Sequence, residues 1–174
     1  VGPGDEVILP AYDFAGSAWG VLYCGATPVF ADVDPDTACI DANALAEAVT
    51  PHTRAVIVAH LFGRPADMDL IREALRAAGK GRRRIALIED CAHAIETEYK
   101  GQKAGTIGDF GCFSFYVTKN IITGEGGMVL IRDASHAARV KILSLHGMDK
   151  DAWKRFGNDD ALAAQSPLAF ADVL

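Results

Sequence analysis

The strongest constraint on this chain is an alternation: short β-rich apolar runs separated by helical stretches, repeated from the N-terminus to about residue 145. Strands that each feed a helix build a mainly parallel sheet, because a parallel neighbour needs a crossover long enough to hold one. Runs at residues 7–9, 28–33, 55–60, 85–89, 111–116 and 127–131 read as strands, with Pro10 closing the first. Helices are expected over residues 14–24, ended by Gly25, and over 42–49, capped by Asp41. A third follows Asp67, with Asp69 in its first turn, Met68, Ile71, Leu75 and Ala78 on one face, and Gly79 as its stop. The last is capped by Ser135 and runs to about residue 145. The expected fold class is α/β, a mainly parallel sheet with helices on both faces.

Half of the 174 residues are hydrophobic and 23% are charged, a globular balance. A formal net charge of -6 argues against a nucleic-acid surface, which needs a basic face. The most basic run, Lys80-Gly81-Arg82-Arg83-Arg84, lies between a helical pattern and a strand and reads as a solvated turn. Cys24, Cys39, Cys91 and Cys112 occur singly, without metal-type spacing. Cys91 and Cys112 read as small core residues, and reduced thiols point to the cytoplasm. No apolar run approaches membrane-spanning length, so neither a membrane nor a metal is an expected partner. Periodicity fades after residue 156. The expected organisation is a partial domain over residues 1–156 and an irregular tail over 157–174.

The chemistry concentrates at Lys119, which leaves an apolar strand and enters a glycine-rich loop. An amine held beside close-approaching backbone can shed solvent and attack a carbonyl. Upstream, Ile85-Ala86-Leu87-Ile88-Glu89-Asp90 delivers a carboxylate to the end of a second apolar strand. An amine and a carboxylate at neighbouring strand ends are the pair that a pyridoxal phosphate (PLP) site needs. Gly124, Gly126 and Gly127 read as turn geometry entering the next strand, and no G-x-G-x-x-G follows a strand. Read alone, Asp90 is equally a helix cap, His93 a core histidine and Ser114 an ordinary strand residue.

Five segments, in order, resemble the central part of the DegT/StrS-type sugar-nucleotide aminotransferases, PLP enzymes of the aspartate-aminotransferase fold. They are Gly4-Asp5-Glu6-Val7-Ile8-Leu9-Pro10 with Phe14, Gly25-Ala26-Thr27-Pro28-Val29 with Asp32-Val33-Asp34, and His60-Leu61-Phe62-Gly63-Arg64-Pro65-Ala66-Asp67-Met68. Glu89-Asp90-Cys91-Ala92-His93 and Phe113-Ser114-Phe115-Tyr116-Val117-Thr118-Lys119-Asn120 complete the series.

The resemblance implies that Lys119 forms the Schiff base with PLP and then shuttles a proton. It implies that Asp90 pairs with the pyridine nitrogen, that His93 contacts the ring's phenolate oxygen or face, that Ser114 donates to the phosphate, and that Phe14 stacks on the ring. Tyr12 and Trp19 are nearby and are alternatively core residues. Asp13 departs from the family, where threonine or serine is frequent. An N-terminal phosphate-binding turn and a C-terminal small domain are expected outside this chain.

The function implied is transfer of an amino group, from glutamate, to a keto-sugar nucleotide by a cytoplasmic homodimer. The alternatives are a PLP-family sugar dehydratase, against which Lys119 counts because those enzymes carry histidine there, and an inactive or regulatory fragment.

Overall fold

Four parallel strands open the structure: β1 (Glu6–Pro10), β2 (Thr27–Ala31), β3 (Thr53–Ala59) and β4 (Ala86–Asp90). A separate hairpin of β5 (Glu98–Tyr99) and β6 (Gln102–Lys103) precedes β7 (Phe110–Ser114), parallel to β4, and β8 (Gly127–Ile131), antiparallel to β7. The main sheet runs β2-β1-β3-β4-β7-β8. Helices α1 (Gly16–Tyr23), α2 (Ala42–Ala48) and α3 (Met68–Ala78) connect the first four strands. The computed structural model describes residues 1–78 and 84–148. They fall into two compact units, residues 1–132 with the sheet and a second beginning at Asp133, which holds α4 (Ala134–Leu143).

Alternation along the strands decides the layering. Ile8, Val56, Val58 and Leu87 face one way and close on Leu45 of α2 and Met68 and Ile71 of α3, all buried. Val7, Leu9 and Ala55 face the other way and pack on Val21 of α1, with Ile57, Ala86 and Ile88 only partly covered. Helices therefore occupy both faces, as the sequence implied. On α3, Met68 and Ile71 are fully buried and Leu75 packs at the margin of the same stripe.

Asp41 caps α2 through the N–H groups of Asn43 and Ala44. Pro10 sits inside β1 rather than after it. It pairs only with Ala31, because β3 has already left β1 beyond Ile8, so its missing N–H costs no ladder bond.

Three expected boundaries shift for visible reasons. β2 stops at Ala31, and the Asp34 carboxylate then binds the N–H groups of Asp36 and Thr37 in a turn, while Val33 keeps only an isolated bridge to Ile40. β7 stops at Ser114, and Lys119 closes a turn by donating its N–H to Tyr116. Helix α4 is capped by Asp133, not Ser135: the carboxylate accepts from the N–H groups of Ser135 and His136, and Ser135 lies in the first turn.

Gly79, the proposed stop of α3, lies outside the described residues, as do Lys80, Gly81, Arg82 and Arg83 and the tail over 157–174. Arg84 is exposed and pairs with Asp109. No helix among the described residues is long and apolar enough to cross a membrane.

Candidate active site

Parallel pairing sets the C-terminal ends of β4 and β7 side by side, with Asp90 opposite Cys112. Ligands of open α/β sheets bind at such ends. A cavity of about 610 Å³ opens there, and Lys119, Asp90, His93, Ser114 and Phe14 all line it.

Each of these side chains is placed by a different element. Asp90 ends β4. Its Oδ1 accepts the Ala92 N–H at 2.9 Å, and its Oδ2 takes no hydrogen bond among the described residues. No helix lies between β4 and β5, so the bond from Ala92 closes a turn rather than capping a helix, and Oδ2 is left to face the cavity. His93 follows in the turn after β4 and is half-buried, not a core histidine. Its Nε2 lies 3.0 Å from Lys119 Nζ. Ser114 ends β7, and its Oγ accepts a long bond of 3.4 Å from the Tyr116 N–H, so its own hydrogen remains available.

Phe14 precedes α1 with its ring 73% exposed and edge-on to Trp19, centroids 5.9 Å apart. A Cβ at Gly16 would come within 2.7 Å of that ring, so the glycine leaves it room. Tyr12 and Trp19 are exposed, not core.

Two further residues on the wall carry charge or a thiol. Asp13 accepts from the Phe14 N–H at 2.7 Å and the Ser17 hydroxyl at 3.0 Å. Burial pushes its carboxyl up, the Phe14 bond opposes this, and repulsion from Asp90 adds to the rise. Cys112 proves only half-buried, because its strand position faces the cavity rather than the core. Burial and then Asp90 raise its thiol. Cys91 is fully buried, as the sequence suggested, and all four cysteines are free.

Sequence reasoning passed over what lies next to the cavity. Glu89 and His60 are both completely buried side chains. Glu89 accepts four bonds of 2.5–2.9 Å, from His60 Nε2 and the N–H groups of Gly105, Ile107 and Gly108. The Ala66 N–H donates to His60 Nδ1, which fixes the ring hydrogen on Nε2, directed at Glu89. Burial works to raise the Glu89 carboxyl, but the His60 bond and the loop N–H groups outweigh it and hold it below the ordinary glutamate range. The signal for this hub was a glutamate inside an apolar strand, a charge that cannot be buried without partners.

His60, Glu89 and Cys91 also form a cluster with metal-ligand atoms. Every imidazole and carboxylate position in it is already satisfied by protein, and burial, then Glu89 and Asp90, hold Cys91 as a thiol. It is a structural knot.

The model of the DegT/DnrJ/EryC1/StrS aminotransferase family matches residues 1–167. The chain belongs to that family.

Spore coat polysaccharide biosynthesis protein SpsC of Bacillus subtilis is 46% identical over 159 residues, covering 91% of this chain and 40% of SpsC. GDP-perosamine synthase of Caulobacter vibrioides is 46% identical over 149 residues, covering 86% of this chain and 39% of the synthase. Among solved structures, Spr1654 of Streptococcus pneumoniae superposes in its PMP form with a TM-score of 0.82 at 36% identity, covering 88% of this chain and 43% of that one. Its PLP form gives 0.80 at 34%. The chain spans about two fifths of the length of these relatives.

PLP, which this family carries, asks for an amine, an anion for the ring nitrogen, a hydroxyl for the phosphate and an aromatic face. Lys119, the second carboxylate oxygen of Asp90, the hydroxyl of Ser114 and the exposed ring of Phe14 are groups of those four kinds, and all four residues line the one cavity.

Proposed function

We propose that this chain is the cofactor-binding core of an aminotransferase that moves an amino group from an amino acid, glutamate by family resemblance, to the ketone of a nucleotide-linked sugar. The observation that carries the reading is the convergence of Lys119 and Asp90 on one cavity, with Lys119 Nζ 3.0 Å from His93. The sugar-nucleotide class is supported by the resemblance to GDP-perosamine synthase.

When bound, PLP supplies a carbonyl carbon for amine exchange and a ring that delocalises carbanion charge. Asp90, through the oxygen left open by Ala92, would hold the ring nitrogen's proton in place by an ion pair strengthened in a partly desolvated site. Ser114 would bind the phosphate through its hydroxyl, and Phe14 would cover the ring and exclude water from it. Lys119 has two duties. Its nitrogen would hold the cofactor, and its free amine would move the proton at the substrate carbon. His93 holds Nζ in position.

The same reading expects a second copy of the subunit against the site and a cytoplasmic setting. The stretch after the cavity exposes Tyr116, Val117, Ile121, Ile122, Met128 and Val129, apolar surface that a partner copy would cover.

The test is spectroscopic and uses the full-length protein. PLP binding should produce an absorbance band that shifts on adding glutamate, Lys119→Ala should abolish the band, and a keto-sugar nucleotide should gain the amine. Full-length protein that binds PLP and glutamate but aminates no keto sugar would contradict the substrate assignment.

A further inference from the structure

Phe62 has a left-handed backbone, φ 53° and ψ 27°, which side chains bearing a Cβ rarely adopt, and its ring is 75% exposed. Neither feature serves the core. Strain of this kind persists where surrounding structure over-determines it, and it clusters at working sites. The surroundings here are specific. Gly63, also left-handed at φ 82°, accepts the Thr97 hydroxyl on its carbonyl at 2.7 Å and lies so close to the His93 carbonyl that a Cβ would be 3.2 Å from it. The turn after β3 is thereby clamped onto the segment that carries His93.

What the clamp presents to His93 is a donor and a flat face. The Phe62 N–H points at His93 Nδ1, 3.4 Å away, and the Phe62 ring lies parallel to the imidazole, centroids 5.6 Å apart and planes 9° off parallel. A neutral imidazole has one donor and one acceptor nitrogen. If Nδ1 accepts from Phe62, the hydrogen sits on Nε2, and the 3.0 Å contact to Lys119 runs from imidazole to lysine. Lysine can receive an N–H only on its lone pair, so the partner in that contact is the amine, the form that attacks a carbonyl.

We propose that Phe62 is a positioning residue: its strained N–H and stacked ring hold His93 as the Nε2–H tautomer that presents Lys119 as a free amine to the cofactor. This rests on Lys119 being the cofactor-binding lysine. Phe62 itself touches neither substrate nor cofactor in this scheme and acts through His93.

The experiment uses full-length apoprotein labelled with nitrogen-15 at histidine, the His93 signals being assigned with a His93→Gln variant. Long-range proton–nitrogen correlation should show Nε2–H and a pyridine-type Nδ1 in the wild type. Phe62→Gly keeps the N–H and relieves the left-handed strain but removes the stacked ring, which frees the His93 imidazole to turn off that donor. It should retain or raise thermal stability, average the His93 tautomers, and slow PLP capture in stopped-flow absorbance about tenfold. A residue that only supported the fold would lower stability and leave tautomer and capture unchanged. The proposal is overturned by an Nδ1–H tautomer in the wild type, or by Phe62→Gly protein whose His93 signals and capture rate match the wild type. Wild-type protein that takes up no PLP would sink the aminotransferase reading instead, leaving the tautomer measurement to decide the role of Phe62.

Discussion

Replacing Glu89 with glutamine should be among the most damaging isosteric changes in this chain. The carboxylate is fully buried and each oxygen accepts two bonds: Oε2 from His60 and Gly105, Oε1 from Ile107 and Gly108. Glutamine keeps one oxygen and sets an NH2 group against the other two donors. Two buried donors losing their acceptor cost about 1–3 kcal/mol each, so the loss is about 4 kcal/mol, a large share of the ~5–15 kcal/mol that holds a domain folded. Urea unfolding of the apoprotein, followed by tryptophan fluorescence, reads this directly.

The acid limb gives a second signature. Because Glu89 is held below its ordinary value of 4.5, its stabilisation is complete above that value and drains away as the pH falls toward the lowered folded value. The gap between wild type and Glu89→Gln should therefore narrow in acid. A loss under about 1 kcal/mol with an unchanged acid limb would refute the picture of an ionised hub.

Four other outcomes follow from the same contacts. Asp13→Asn should leave stability at neutral pH unchanged or raise it by up to about 1 kcal/mol, because the raised carboxyl of Asp13 penalises the folded state once ionised; thermal melts should show the wild type catching up as the pH falls through the carboxylate range. Asp41→Ala should cost about 1 kcal/mol in denaturant unfolding through loss of the α2 cap. Asp90→Asn keeps the bond from Ala92 but loses the ion pair, so steady-state assays should show a fall in transamination of about 10²-fold with PLP absorbance retained. Gly111→Ala would drive its Cβ into the Gly105 backbone, which cannot rotate aside, and expression with circular dichroism should show protein that is largely unfolded or lost.

Much of the architecture was legible because burial writes itself into sequence period. The stripe of Met68, Ile71 and Leu75 and the uninterrupted apolar strands left little alternative to covered parallel strands. The cavity wall was legible through chemistry: an amine and a carboxylate at strand ends have few bland uses together, and the structure sets Lys119, Asp90, His93, Ser114 and Phe14 around one space.

What escaped was set by single backbone choices. The β5–β6 hairpin turns on Lys100 and Gly101, both at positive φ, and only the glycine announces such a turn. Asp133 rather than Ser135 caps α4 because a carboxylate two residues earlier accepts from the N–H groups of Ser135 and His136 with a full charge. His60 and Phe62 stayed hidden inside a motif, since their roles depend on partners 29 and 31 residues away, Glu89 and His93.

The central claim, that the amine at residue 119 and the carboxylate at residue 90 address one PLP molecule, has a direct chemical test. Full-length protein incubated with PLP, reduced with borohydride and digested should yield one pyridoxyl-modified peptide by mass spectrometry, carrying the label on Lys119. In Asp90→Asn protein the label should stay on Lys119. Label spread over exposed lysines such as Lys100 and Lys103, with Lys119 unmodified, would contradict the account.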